Sequence, residues 1–374
     1  MPRLSGLSPY VPGTHTEEEG ALRLNSNESP YPPSPGVSEA VAAGAGDLNL
    51  YNDPDCMLLR GAIAERLGVK PQNVMAANGS DQVLLLAMTA FADAGYPIAL
   101  PDLTYSYYDD FAAVLGIPLL RKPLREDFTL DAEDYKQPGV MALFPNPNAP
   151  TGLAVSPGDI RAIAKADEGR VCLVDEAYVD FGCASALPLI AECPNLLITR
   201  TFSKSGSLAG ARLGYALGAE GIIEELSRVR SATDLYGVSR MAQAAGIAAM
   251  REWPYYEANC RRIEETRGRT TEHLRALGFE VLPSLGNFVF AKPPMDAALL
   301  QRRLAAESIY VRRLSAPRAL GRLRITIGTD ADMEMKVSLL NDMLPKLEGM
   351  QGRLDLSQYS ERSEREAYIF KEKR

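Results

Sequence analysis

The sequence predicts an α/β fold built on a mostly parallel sheet. Three short apolar runs, at 140–144, 171–174 and 196–199, lack the alternation of a half-buried strand and fit strands that are covered on both faces. Helical patterns separate these runs, and a helical crossover is the usual connection between parallel strands. The chain of 374 residues also exceeds one typical domain, so we expect a large domain and a smaller one.

The first half of the chain supplies most elements of the large domain. Residues 1–36 are rich in Pro, Ser and Gly, which predicts an extended arm. A strongly apolar helix is expected over 80–92, with Ser80 as its N-cap. Further helices are predicted at 55–67 and 105–115, and further strands at 74–77 and 97–100.

The second half predicts a smaller α+β domain. Long helical patterns run from residue 220 to residue 277, and four short strand patterns follow, at 281–282, 287–291, 310–314 and 323–327. The last stretch is dense in both charge signs, which is typical of a solvated helix or a disordered tail. We predict an arm that joins the small domain, a large domain, a small domain and a charged tail, over 1–36, 37–258, 259–348 and 349–374.

Composition narrows the classes of function. The net charge of −8 weighs against nucleic acid and anionic membranes as partners. No apolar run reaches the length of a membrane span. With two histidines, and with no cysteine pair at zinc-site spacing, neither a metal site nor Ser-His-Asp catalysis is expected. The five cysteines form an odd set, which favours reduced thiols and a cytoplasmic protein.

Lys204 is the strongest candidate for a reactive group. It follows the strand predicted at 196–199, in a segment that also holds Thr201 and Ser203, and Arg212 comes eight residues later. A lysine beyond a buried strand can lie in a cleft, where its neutral amine can attack an aldehyde. Ser203 and Arg212 could bind a phosphate through charge-assisted hydrogen bonds. Taken alone, a lysine near serines is usually an ordinary surface lysine.

Asp175 follows the strand predicted at 171–174 and is expected at the carboxyl edge of the sheet. Ligands bind at that edge in open α/β folds. A buried carboxylate there needs a cationic partner, and a protonated pyridine nitrogen would serve. The alternative is an aspartate that caps the next segment.

Three further segments can complete a cofactor site. The Gly-Ser-Asp segment 79–81 opens an apolar helix, whose N-terminal N–H groups can bind an anion. Asn148 lies in the proline-rich loop 144–152 and could hydrogen-bond a phenolate oxygen, and Tyr105 could stack on a planar ring. Each has a plain structural alternative: a helix cap, a turn or core packing.

In order and spacing these residues resemble the fold-type I enzymes that use pyridoxal 5′-phosphate (PLP), the aspartate aminotransferase superfamily. Within its class II group the chain is similar to the histidinol-phosphate aminotransferases over residues 5–345. The matching segments are Asn25-Ser26-Asn27-Glu28-Ser29-Pro30, Tyr51-Asn52-Asp53-Pro54, Gly79-Ser80-Asp81-Gln82, Asp175-Glu176-Ala177-Tyr178, Thr201-Phe202-Ser203-Lys204, Leu208–Gly214 and Leu323–Gly328. Two positions depart from the family pattern: Gln82 replaces a Glu, and Ala149 replaces an Asn.

The resemblance implies a seven-stranded sheet in the large domain, bound PLP and a role for each matched position. Lys204 would be the Schiff-base lysine and proton shuttle, Asp175 would pair with the pyridine nitrogen, and Tyr178 would hydrogen-bond the phenolate. The remaining cofactor-binding positions would be Gly79, Ser80, Asp81, Thr201, Ser203 and Arg212 around the phosphate, Tyr105 on the ring, Asn148 at the phenolate, and Tyr51 from the neighbouring subunit of a homodimer. Arg324 would hold the anionic group of the substrate, with Arg312, Tyr10, Tyr51 and Asn148 nearby.

The expected reaction is a ping-pong transamination through Lys204. Histidinol phosphate and 2-oxoglutarate would give imidazole acetol phosphate and glutamate, a step of histidine biosynthesis. An aromatic amino-acid aminotransferase and a threonine-phosphate decarboxylase of the same fold are the alternatives. A PLP-fold protein that binds or regulates without turnover is the alternative from another class.

Overall fold

The computed structural model describes residue 18, residues 20–335 and residues 338–340. The predicted tail at 349–374 and the substrate-binding candidate Tyr10 lie outside these residues. The described strands are β1 (Leu22–Leu24), β2 (Val74–Ala77), β3 (Ile98–Pro101), β4 (Leu119–Lys122), β5 (Met141–Pro145), β6 (Cys172–Asp175), β7 (Leu196–Thr201), β8 (Gly214–Gly218), β9 (Glu280–Val281), β10 (Phe288–Lys292), β11 (Ile309–Arg313) and β12 (Leu323–Thr326).

The α-helices cover both sheets. They are α1 (Pro35–Gly44), α2 (Met57–Leu67), α3 (Gly79–Phe91), α4 (Tyr107–Leu115), α5 (Pro157–Lys165), α6 (Glu220–Thr233), α7 (Arg240–Arg251), α8 (Trp253–Ala276) and α9 (Ala297–Ala306). One expectation at a helix start is wrong. The N-cap of α3 is Asn78 and not Ser80, because the Gln82 side-chain oxygen accepts a hydrogen bond from the Asn78 N–H at 2.6 Å.

The seven-stranded sheet confirms the predicted fold class. Its strand order is β2-β8-β7-β6-β5-β3-β4, and only β8 among them runs antiparallel to its neighbours. Successive residues of its central strands enter two different apolar cores: Val174 packs into one and Leu173 into the other. Both faces are therefore covered, which is the physical reason why these strands read as unbroken apolar runs.

The five-stranded sheet has the order β1-β11-β12-β10-β9 and covers a separate apolar core. Strand β1 of the N-terminal arm pairs in parallel with β11, so the arm contributes to this smaller sheet. Helix α8 runs through the predicted domain boundary at 258 without a break, and the boundary positions stay a prediction. No helix of the described part of the chain is long and apolar enough to cross a bilayer.

Candidate active site

The carboxyl edge of the large sheet brings the predicted residues together. Parallel strands β5, β6 and β7 end side by side, with Pro145 opposite Asp175 and Asp175 opposite Thr199. Lys204 follows three residues after the end of β7. Short buried parallel strands thus place an acid and an amine at one sheet edge, although 29 positions separate them in the chain.

Asp175 is a buried carboxylate, only 5% exposed. Its oxygens accept hydrogen bonds from the Tyr108 hydroxyl at 2.7 Å and from the Ala177 N–H at 3.1 Å. Burial raises the pKa of Asp175 to about 6, although these two hydrogen bonds oppose the shift. None of the ion pairs between described residues involves Asp175, so a cation brought by a ligand would stabilise its charged form.

Lys204 is half-buried beside the N-terminal arm. Its Nζ donates to the Ser26 carbonyl oxygen at 3.0 Å and lies 5.7 Å from the centroid of the Tyr178 ring. Tyr178 packs edge-on against Phe288 of the small sheet, with ring centroids 5.1 Å apart. The amine therefore lies between the sheet edge and the arm, in contact with both parts of the molecule.

The arm segment 25–27 connects this amine to the small sheet. Arg324 Nη2 donates to the Asn25 carbonyl at 2.7 Å, and the next carbonyl, of Ser26, accepts from Lys204. Because adjacent carbonyls share one short stretch of backbone, the Arg324 guanidinium and Lys204 Nζ lie at most roughly 10 Å apart. That separation suits a small substrate with a reacting amine at one end and an anion at the other.

An anion cradle forms where α3 begins. Gly79 has a φ of +84°, and a Cβ there would lie 3.0 Å from Arg212 Nη2, so a side chain would crowd the guanidinium. A Cβ at Gly214 would overlap the backbone N of Ser80, which requires glycine at that close approach. The N–H groups of the first helical turn and Arg212 thus share one small space.

Asp81 belongs to this cradle as the partner of Arg212. Its carboxylate accepts from Arg212 Nη2 at 2.9 Å and from the Tyr105 hydroxyl at 3.2 Å. The carboxylate therefore holds both a cation and a ring beside this space. Thr201 pairs with Gly214 beside this cradle, and the Ser203 N–H donates to Thr201 Oγ1 at 3.1 Å.

Asn148 is buried, with its side chain engaged by neighbouring loops. Its Nδ2 donates to the Leu103 carbonyl at 3.0 Å and to Thr151 Oγ1 at 3.1 Å, and its Oδ1 accepts from Thr104 Oγ1 at 2.9 Å. Both amide hydrogens are used within the chain, so the contact of Asn148 with a phenolate stays a prediction.

Arg312 and Arg324 lie directly beside each other on neighbouring strands of the small sheet. They are register partners in the antiparallel pair β11–β12, and both are half-buried. Like charges directly opposite each other on one sheet face are unfavourable, and an anion bound between them removes that cost. The guanidinium of Arg324 also lies 5.8 Å from the centroid of the Phe288 ring.

Tyr51 lies on the surface of the chain, with 80% of it exposed. Its ring stacks on Tyr236 at a centroid distance of 4.5 Å, and its carbonyl accepts from Arg240 Nη2 at 2.8 Å. The ring is thus fixed in an outward position, where a second molecule could meet it.

Two site residues escaped the sequence analysis. Tyr108 lay inside a predicted helix with no sign that its hydroxyl would reach Asp175. Asn27 belongs to the Asn25-to-Pro30 motif, but the motif did not predict its contacts with Tyr178 and Thr326. The signal that could have pointed to Asn27 was its place in the Asn25-to-Pro30 motif.

Comparisons with known proteins identify the family of the chain. Residues 19–340 match the family model described as aminotransferase class I and II. The chain is 46% identical over 345 residues to "Histidinol-phosphate aminotransferase 1" of Bordetella parapertussis, covering 91% of this chain and 97% of that protein. It is 43% identical over 347 residues to "Histidinol-phosphate aminotransferase" of Gluconacetobacter diazotrophicus, covering 92% and 98% of the two chains.

Among solved structures, the chain is similar to histidinol-phosphate aminotransferase from Sinorhizobium meliloti, a crystal structure in complex with pyridoxal 5′-phosphate. The TM-score is 0.80 and the identity 30%, with 87% of this chain and 91% of that chain covered. A second crystal structure, histidinol-phosphate aminotransferase from Clostridium acetobutylicum, has a TM-score of 0.81 at 22% identity, over 87% and 99% of the two chains. At that identity the second likeness concerns the fold alone.

Proposed function

The chain belongs to the class I and II aminotransferases, and on that premise we propose that it is a PLP-dependent enzyme that transfers the amino group of histidinol phosphate to 2-oxoglutarate. The observation that carries the proposal is the meeting of Lys204, Asp175 and Arg212 at one sheet edge, in a chain whose relatives bear that name. The assignment covers the reaction class, the cofactor and the donor.

The described residues fit PLP. Asp175 is a buried carboxylate with a raised pKa, and a pyridinium nitrogen is the kind of cation it requires. The Gly79 cradle beside Arg212 suits a phosphate, and Tyr105 is anchored to the same cradle through Asp81. We assign the phosphate to Gly79, Ser80, Thr201, Ser203 and Arg212, the ring to Tyr105, and its oxygen to Tyr178.

When bound, PLP supplies an electron sink that acidifies the C–H bond of the amine-bearing carbon. Lys204 would anchor the aldehyde, and its Nζ would take and return the proton at that carbon of the substrate. The charged Asp175 would keep the pyridine nitrogen protonated, and Tyr108 holds this carboxylate in place by donating to it. Charge pairing at the ring and proton transfer at Lys204 thus belong to separate side chains.

Arg324 and Arg312 would bind the far end of both substrates. An arginine fork binds either a phosphate or a carboxylate through paired hydrogen bonds, so one site can accept the donor and the oxo acid in turn. The carbonyls of Asn25 and Ser26 set its distance from Lys204. A shared anion site suits a ping-pong reaction, in which the two substrates occupy the same active site in turn.

A homodimer is part of this proposal. The exposed apolar side chains of Leu48, Leu50, Tyr51, Leu58 and Tyr236 lie on two chain segments that the Tyr51–Tyr236 stack brings together. Such a patch is typical of an interface. A second copy would cover it, and Tyr51 would reach the cofactor phosphate of that copy. We also propose a cytoplasmic location, which the five free thiols support.

The decisive experiment is a panel of amino donors with 2-oxoglutarate. We expect the kcat/KM for histidinol phosphate to exceed those for phenylalanine, tyrosine and aspartate. In the same assay Arg324→Ala should raise the KM of both substrates about 10- to 100-fold, the effect of losing a charge-assisted anion contact. Arg313→Ala is the matched control, because this neighbour of Arg312 on β11 is exposed and faces the other side of the sheet.

Other results would redirect the assignment. A preference for phenylalanine or tyrosine would make the protein an aromatic aminotransferase of the same family. An unchanged KM for either substrate in Arg324→Ala would move the anion site elsewhere. A colourless protein that takes up no added PLP would overturn the cofactor and the reaction together.

A further inference from the structure

Asn27 is a fully buried residue that joins three parts of the molecule. Its N–H donates to Thr326 Oγ1 on β12 at 3.0 Å, and its carbonyl accepts from Asn287 Nδ2 at 3.0 Å. Its side chain contacts Thr326 on one side and the Tyr178 hydroxyl on the other, each at 3.0 Å. The arm, the small sheet and the cofactor edge of the large sheet therefore meet at this amide.

Counting protons fixes the orientation of the Asn27 amide. Thr326 Oγ1 already accepts the Asn27 N–H, and its single proton points to the Asn27 side chain. The atom that faces Thr326 must therefore be the acceptor, Oδ1, and the atom that faces Tyr178 must be the donor, Nδ2. In the opposite orientation Thr326 Oγ1 could accept from Nδ2 through its second lone pair, but the buried Thr326 proton would then have no acceptor among the described residues, which is unfavourable.

The same count fixes the role of the Tyr178 hydroxyl. A phenol has one proton, and here its oxygen accepts from Asn27 Nδ2 at 3.0 Å. The Tyr178 proton is consequently directed away from Asn27. The Tyr178 ring is the one over which Lys204 Nζ lies, so this proton belongs to the reaction site.

We propose that Asn27, held by Thr326, is a positioning residue that makes Tyr178 a one-way hydrogen-bond donor to the ring oxygen of the bound cofactor. This inference rests on the proposed function and deepens it. A donated hydrogen bond stabilises the anionic form of that oxygen, and it thereby lowers the pH at which the bound cofactor loses its proton. Asn27 acts on the cofactor only through Tyr178.

Asn27→Asp tests the inference with little change in shape. Asp has the same size and tolerates the left-handed φ of 54° at this position. Its ionised carboxylate cannot donate, so it would accept the Tyr178 proton and reverse the hydrogen bond. We expect the pH midpoint of the cofactor absorption band in the holoenzyme, without substrate, to rise by about one unit, the scale of one lost hydrogen bond to a charged group.

Tyr178→Phe and the double variant separate this role from a purely structural one. Tyr178→Phe should raise the midpoint as Asn27→Asp does. Asn27→Asp should raise the midpoint by less in the Tyr178→Phe background than in the wild type, because both changes remove the same hydrogen bond and only the added charge of the aspartate is left to act. Thr326→Ser keeps the hydroxyl and should retain the wild-type midpoint. Thr326→Val frees the amide to turn and should raise the midpoint by less than Asn27→Asp.

An unchanged midpoint in Asn27→Asp, or a rise that adds in full to that of Tyr178→Phe, would overturn the inference. If Asn27→Asp does not fold, a wild-type midpoint in Thr326→Val has the same consequence. Failure of the proposed function looks different, since the wild-type protein would then show no cofactor band at all.

Discussion

Two adjacent carboxylates at the end of β6, Asp175 and Glu176, are buried in opposite electrostatic surroundings. Glu176 accepts from Arg200 Nη2 at 2.8 Å, from Ser185 at 2.9 Å and from the Ala186 N–H at 2.6 Å. Burial alone would lower the pKa of Arg200, but Glu176 outweighs it and the pKa is raised. Asp175 has hydrogen bonds from Tyr108 and Ala177, and no cation among the described residues neutralises it.

The comparison separates a structural charge from a functional one. Successive residues of an extended strand face opposite sides of a sheet. The single step from Asp175, the last residue of β6, to Glu176 therefore takes the chain from the cofactor side to the Arg200 side. On the Arg200 side, Arg200 neutralises the charge of Glu176, and the hydrogen bonds of Glu176 with Ser185 and Ala186 hold their loop in place. On the cofactor side it keeps a carboxylate whose partner must come from a ligand. The two sides should therefore respond differently to substitution.

The largest effect is expected on the cofactor side, from Lys204→Ala. Turnover should fall by about 10³-fold or more, since no other group would move the proton at the amine-bearing carbon. The melting temperature of the cofactor-free protein should change little, because Lys204 makes one exposed hydrogen bond, to Ser26. Single-turnover kinetics and thermal unfolding measure the two quantities, and Lys70→Ala, at an exposed surface lysine, is the control. Near-normal turnover in Lys204→Ala would remove the distinction between the two sides.

On the Arg200 side, Glu176→Gln should act on stability. It leaves the Arg200 guanidinium buried without its counter-charge, which typically costs about 3–5 kcal/mol of unfolding free energy. Denaturant unfolding of the cofactor-free protein measures the loss. The double variant Glu176→Gln with Arg200→Met should recover part of it, because the unpaired charge is gone. A loss under about 1 kcal/mol would mean that water or another residue compensates Arg200.

The smallest effect is a pH dependence at Asp175. Unfolded, this carboxyl loses its proton near its ordinary pKa of 3.8, whereas the folded, cofactor-free protein holds it to about 6. The wild-type unfolding free energy therefore loses about 2 kcal/mol as the pH rises from 4 to 7, in addition to any change that other groups cause. Asp175→Asn lacks this loss. The difference between the two proteins should thus grow in favour of the variant across this interval.

Urea titrations at several pH values would measure that difference. Other carboxyls titrate alike in both proteins and cancel. A difference that stays constant between pH 4 and pH 7 would show that the chain itself neutralises Asp175. Added PLP should reverse the order at neutral pH, because it binds the wild-type carboxylate and supplies the missing cation.

Much of the fold and part of the site could be read from local patterns. The runs that became β5, β6 and β7 are apolar at every position because both of their faces are buried, and the residues that follow them had to lie at one edge. Asp175 and Lys204 were found in this way. Tyr108 and the Arg200–Glu176 pair were not, because nothing in a helix or strand pattern records which distant group a side chain will meet.

The alternation of strands and helices, the family and the set of groups available for chemistry follow from the amino-acid sequence. Which of these groups meet depends on the tertiary structure. Asn27 and Thr326 lie 299 positions apart in the chain, yet two hydrogen bonds join them. Likewise, Glu176 is paired with Arg200, whereas Asp175 has no cationic partner among the residues that the structure describes. The physical reason is that periodicity reflects burial within one segment, whereas pairing between segments depends on how whole sheets and loops pack together.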